Sequence, residues 1–196
     1  MRIRTPLLLA GLLTAVSTPA SAHLLGMHGA GFEAGVAHPF SGLDHLLAML
    51  AVGIWAAQQG GRALWAIPLA FVGTLVAGGL LAINGIHLPL VEPGIAASLL
   101  VLGLLIATSA RLPVSAGAAL VGLFALWHGH AHGTELPEAA SPAGYAIGFV
   151  IATVTLHGIG ILLGRRIHAA ALPWQKFAGG LISATGMWLL LASCTD

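Results

Sequence analysis

Charge is what this 196-residue chain has least of: Asp, Glu, Lys and Arg together make up 7% of it, against 58% apolar residues. A soluble domain carries about a quarter of its residues charged, so that class is excluded. The formal net charge of +1 supplies no basic stripe to neutralise phosphates, which excludes nucleic acid as a partner. Cys194 is the only cysteine, so one chain can build neither a disulfide framework nor a thiolate cage for a metal. The closing Ser193-Cys194-Thr195-Asp196 also lacks the aliphatic pair that C-terminal prenylation needs. No Gly-x4-Gly-Lys-Ser/Thr loop occurs, so the chain does not hydrolyse ATP through that device. Nothing matches a c-type haem attachment motif, and no prosthetic group is called for.

What the chain has instead is long apolar runs. They fall at about 43–58, 63–83, 93–110, 113–131, 143–163 and 174–193, each at or near the roughly 20 residues that cross a bilayer as a helix. The expected fold is all-α: a polytopic membrane protein of six transmembrane helices in a single domain, 23–196, with the lipid bilayer as its solvent. Residues 1–22 read as a signal peptide. Met1-Arg2-Ile3-Arg4 is basic, Leu7 to Val16 is apolar but too short to span, and Ala20-Ser21-Ala22 is a small-residue cleavage site. Cleavage there makes His23 the mature N-terminus, outside the inner membrane, with His28 five residues on.

Charge placement agrees with that orientation. With the mature N-terminus outside, the joints after the first, third and fifth runs face the cytoplasm. Those joints and the start of the sixth run hold Arg62, Arg111, Arg165, Arg166 and Lys176, which are all the Lys and Arg of the mature chain. The acids Glu33, Asp44, Glu92, Glu135, Glu138 and Asp196 then lie on the outer side, and both termini are periplasmic. The 27 glycines, Gly73 to Gly79 and Gly117 to Gly122 among them, let helix backbones approach closely in lipid.

The polar residues that remain within this apolar chain need a reason, since a charge at the centre of a membrane helix costs about 2.5–3.5 kcal/mol on insertion scales. His38, Asp44 and His45 stand at the outer end of the first run; His128, His130, His132 and Glu135 stand at the outer end of the fourth. On a continuous helix His128, His132 and Glu135 recur at i, i+4 and i+7 and share a face, while His130 points elsewhere. The fifth run adds His157, one turn after Thr153. Imidazole and carboxylate donors suit Ni²⁺, Co²⁺ or Zn²⁺, and only Met49 offers a soft donor near the cluster, which argues against Cu⁺. The candidate metal ligands are therefore His38, Asp44, His45, His128, His132, Glu135, His23 and His157. Asp44 is either a ligand or the group that orients His45. His87 and His168 read as solvated loop residues.

Together, the signal peptide, six spans, His38-x5-Asp44-His45 and His128-Gly129-x-Ala131-His132-Gly133-x-Glu135 resemble the HupE/UreJ family of nickel/cobalt permeases. The resemblance covers essentially the whole mature chain. It implies uptake of Ni²⁺, with Co²⁺ as a second candidate, across the bacterial inner membrane in support of a nickel enzyme such as hydrogenase or urease. It also implies that His38, Asp44, His45, His128, His132 and Glu135 are the functional positions; His130 fills a variable slot and His157 lies outside the motif. The expected protein is thus a transporter and not an enzyme. Rival classes are an intramembrane zinc hydrolase, a bis-histidine haem protein through His45 and His157, and a metal-binding accessory protein that moves nothing.

Overall fold

The computed structural model describes residues 31–136, 141–169 and 172–193, and among them every regular element is helical. A short helix, α1 (Gly31–Ala37), runs into a 3₁₀ turn at His38–Phe40. Six longer helices follow: α2 (Leu43–Gln59), α3 (Ala63–Ile83), α4 (Val91–Thr108), α5 (Val114–Thr134), α6 (Pro142–Ala169) and α7 (Leu172–Ala192). A helix satisfies its own backbone donors and acceptors, which is what an uncharged run needs where no water can do so.

Turns between the helices fall where the backbone leaves the helical region. Gly60 (φ 69°), Gly61 (φ 52°) and Gly85 (φ 74°) take left-handed conformations after α2 and α3, and Pro113 is the residue before α5. The bend of 79° between the segment Gly31–Phe40 and α2 is made at Gly42, which is extended (φ −109°, ψ 125°).

The distribution of polarity is that of a membrane protein. Leu69, Leu162, Trp174, Phe177 and Leu191 are each more than 60% exposed, while Ser98, His128 and Thr153 are fully buried. Among the described residues four helices, α3 to α6, are long and apolar enough to cross a membrane, and a fifth span results if the bent pair of α1 with its 3₁₀ turn and α2 counts as one. The helix α7 is as long as α3, but Gln175 and Lys176 make its first turns polar.

Packing is pairwise. The helix α3 lies against α5, α4 against α7, and α1 and α2 against α6. Each pair closes on glycine: a side chain at Gly129 would strike the Leu75 carbonyl, at Gly103 the Ser183 amide and at Gly53 the His157 carbonyl. Small residues therefore do what the sequence assigns them, with an exception at Gly73, where an added Cβ would meet no atom of another helix within 4 Å among the described residues. At the end bearing the arginine joints, Trp55 Nε1 donates to the Ala110 carbonyl (3.2 Å), and Gln58 (3.2 Å) and Gln175 (3.3 Å) both donate to the Ile106 carbonyl. The histidine motifs are gathered at the opposite end.

Candidate metal centre

Three elements build the site: the 3₁₀ turn and α2 from the group packed on α6, and α5 from its pair with α3. The 3₁₀ turn carries His38, fixed by Pro39 and by the Ser41 hydroxyl, which donates to the His38 carbonyl (2.6 Å). The first turn of α2 carries Asp44 and His45. The last two turns of α5 carry His128 and His132, and Glu135 follows its end. That helix runs past the apolar residues to Thr134, which puts His128 and His132 one above the other on the face turned to α2.

The rings touch. His45 and His132 have centroids 4.3 Å apart, His38 and His132 4.7 Å, and His45 and His128 5.0 Å. Across the top, His38 Nε2 donates to a Glu135 carboxylate oxygen at 2.9 Å. One ligand atom each from His38, His132 and Glu135 lie within 4.8 Å of one another. Donors sharing a first-row ion at about 2.1 Å stand about 3–3.4 Å apart at tetrahedral or right-angle positions, so the three side chains would have to draw together to hold a cation.

The hydrogen bonds decide which nitrogens are free. Asp44 Oδ1 accepts both the backbone N–H of His45 (2.8 Å) and its ring Nδ1–H (2.8 Å). A neutral imidazole has one N–H, so His45 Nε2 carries a lone pair, and that atom is buried with no partner among the described residues. Gly42 makes room for this arrangement, because a Cβ there would stand 2.6 Å from Asp44 Oδ1 and 3.1 Å from His45 Nδ1. Among the described residues His132, 4% exposed, has neither ring nitrogen partnered, and His128 lacks a partner at Nδ1. A buried polar atom left unpaired costs about 1–3 kcal/mol. The histidine rings lie in contact with one another, but of the histidines only His38 and His132 belong to the three-donor set with Glu135.

The surroundings are aromatic and acidic. Phe149 packs on His132 (4.1 Å between centroids) and Tyr145 on His38 (5.7 Å), both from α6. Glu92, in the first turn of α4, lies within electrostatic reach of Asp44, His45 and Glu135. The site thus has three carboxylates round its mouth and histidines below.

Of the sequence-predicted ligands, His38, Asp44, His45, His128, His132 and Glu135 come together. His157 does not join them: it sits deeper, 2% exposed, with Phe71 packed against it (5.0 Å) and against His128 (5.8 Å). Both its ring nitrogens and the Thr153 hydroxyl are buried without partners among the described residues. His23 lies outside the described residues. His130 points away, as its place on the helix requires, with Nε2 between the Ile86 carbonyl (2.9 Å) and the Leu88 N–H (3.2 Å) of the α3–α4 loop; its tautomer selects one of the two. Sequence reasoning missed Glu92, Ser98, Tyr145 and Phe149 as neighbours of the centre. For Glu92 a signal existed, an acid beside a run of apolar residues; for the others none did.

A helical bundle with an apolar exterior and a cluster of histidines and carboxylates near one end defines a multi-pass membrane protein. The family model described as HupE / UreJ protein matches residues 11–189. Over 181 residues the chain is 47% identical to "Protein HupE" of Rhizobium leguminosarum bv. viciae, covering 91% of this chain and 95% of that one. The chain belongs to the HupE/UreJ family. No solved structure matches it.

Proposed function

We propose that the chain is a permease of the bacterial inner membrane that takes up Ni²⁺, with Co²⁺ as the second candidate substrate. In this reading it has six spans, periplasmic termini and a cleaved signal peptide, and it performs no enzymatic turnover. The observation that carries the proposal is the close set of donor atoms from His38, His132 and Glu135, with ring nitrogens of His45 and His128 nearby that are buried without a partner among the described residues. Nitrogen donors with a carboxylate suit a borderline divalent ion, and family membership points the same way.

The carboxylates of Asp44, Glu92 and Glu135 raise the local concentration of a divalent cation at the mouth. Histidine nitrogens then replace part of its water shell. Asp44 holds His45 in the tautomer that offers Nε2 and raises its basicity, as carboxylates beside metal-binding histidines do. His157 is the next donor inward, beyond Phe71, and His23 collects metal outside. Passage requires that no station bind too tightly to release.

The test is radioactive Ni²⁺ and Co²⁺ uptake into proteoliposomes, with and without a proton gradient, comparing wild type with His45→Ala. Accumulation by wild type and its loss in the variant support the reading. Binding without accumulation turns the protein into an accessory metal binder, and metal-dependent hydrolysis without accumulation turns it into a zinc enzyme.

A further inference from the structure

Helix α4 brings none of the histidine or aspartate ligands, yet it reaches the centre through Ser98, which is fully buried. The Ser98 hydroxyl is 2.6 Å from the Ile95 carbonyl, one turn back, and 3.0 Å from His128 Nε2. A hydroxyl has a single hydrogen, and a carbonyl only accepts. For both contacts to be hydrogen bonds, the hydrogen must go to Ile95 and the Ser98 oxygen must accept from His128. Nε2 then carries the ring proton, and the lone pair is on Nδ1, the atom that is buried without a partner among the described residues.

We propose that Ser98 is a positioning residue for the metal centre: by accepting Nε2–H it holds His128 in the tautomer whose Nδ1 is the coordinating nitrogen. The inference rests on the uptake reading for its purpose but not for its geometry. It makes His128 the counterpart of His45. Asp44 occupies Nδ1 of His45 and leaves Nε2 bare; Ser98 occupies Nε2 of His128 and leaves Nδ1 bare. Two neighbouring rings, 5.0 Å apart, so present unlike nitrogens, and each is set from a different helix. Without Ser98 the His128 proton can sit on either nitrogen, and a share of molecules offers the metal an N–H in place of a lone pair. A serine that served only to back-bond its own helix would have no such effect.

The experiment uses full-length protein in detergent with ¹⁵N-labelled histidine. Long-range ¹H–¹⁵N spectra of the metal-free protein, recorded at about pH 8, above the ordinary histidine range, report each ring's tautomer; His128→Ala assigns the signal. Expected in wild type is the Nε2–H form of His128, and in Ser98→Ala a mixture of the two forms at an unchanged melting temperature. Ni²⁺ titration of the same samples should show affinity about 10–100-fold weaker in Ser98→Ala, the range seen when the partner of a ligating histidine is removed. Ser98→Thr, which keeps the hydroxyl, should restore both readouts. An Nδ1–H form in wild type overturns the proposal, as does a Ser98→Ala protein with wild-type tautomer and affinity. If wild type binds no Ni²⁺ at all, the uptake reading falls, and the metal-free spectra still decide whether Ser98 sets the ring.

Discussion

His38 and Glu135 are 97 positions apart in sequence, yet Nε2 of one lies 2.9 Å from a carboxylate oxygen of the other. This bond links the 3₁₀ turn before α2 to the end of α5 and closes the outer side of the histidine cluster. Both partners are also candidate ligands, so a cation arriving there competes with the bond. Glu135→Gln keeps an acceptor for His38 and removes the charge. Its side chain is 50% exposed, so the substitution should leave the melting temperature nearly unchanged while lowering Ni²⁺ uptake at least about tenfold. Equal uptake at equal expression would remove Glu135 from the site.

Asp44 takes two hydrogen bonds on one oxygen from His45. An asparagine in its place lacks the negative charge and can turn either its oxygen or its amide group to the ring. Asp44→Asn should weaken Ni²⁺ binding about 10–100-fold, measured by titration of purified protein, with uptake falling in parallel. Unaltered affinity would show that His45 needs no carboxylate behind it.

His130 and His132 are two residues apart and have opposite surroundings. His132 touches His38 and His45, whereas His130 meets the α3–α4 loop at Ile86 and Leu88. His132→Ala should abolish uptake. His130→Ala should keep uptake and lower stability by about 1–3 kcal/mol, the cost of unpairing a buried loop contact. Thermal melts and uptake assays on the two variants check this, and a reversed pattern would mean the faces of α5 are misassigned.

The glycine contacts separate packing from composition. A Cβ at Gly129 would collide with the Leu75 carbonyl, and one at Gly73 would meet nothing. Gly129→Ala should therefore destabilise the α3–α5 pair by about 1–3 kcal/mol, as overpacking does, and Gly73→Ala should be neutral. Melting curves in one detergent would contradict this close approach if the two variants behaved alike.

Orientation is tested by labelling. In a Cys194→Ser background, a cysteine replacing His87 should react with an impermeant maleimide on intact spheroplasts, and one replacing Arg111 only after permeabilisation. The placement of Arg62, Arg111, Arg165, Arg166 and Lys176 sets that expectation. Labelling of the Arg111 position from outside would invert the topology.

Much of this protein was legible before any fold was known, for one reason: in lipid, composition constrains structure tightly. Apolar runs that cannot leave backbone groups unpaired must be helical. A polar residue inside such a run costs enough to signal a use. The histidine motifs at 38–45 and 128–135 could be read on those grounds, and the helical spacing of His128 and His132 already set His130 aside. The short helix α1 was not legible, because seven residues rich in glycine carry no periodic signal of their own; its place depends on packing against α6.

By itself the sequence determined the helices, their apolar exterior and the residue types able to hold a borderline metal ion, because each of these follows from local composition and spacing. Only the tertiary structure decided which donors meet, that His157 stands apart behind Phe71, and which ring nitrogens find a partner among the described residues. Those outcomes depend on contacts between positions far apart in the chain. Asp44 can orient His45 from the next residue, but Ser98 reaches His128 only because α4 and α5 are folded side by side.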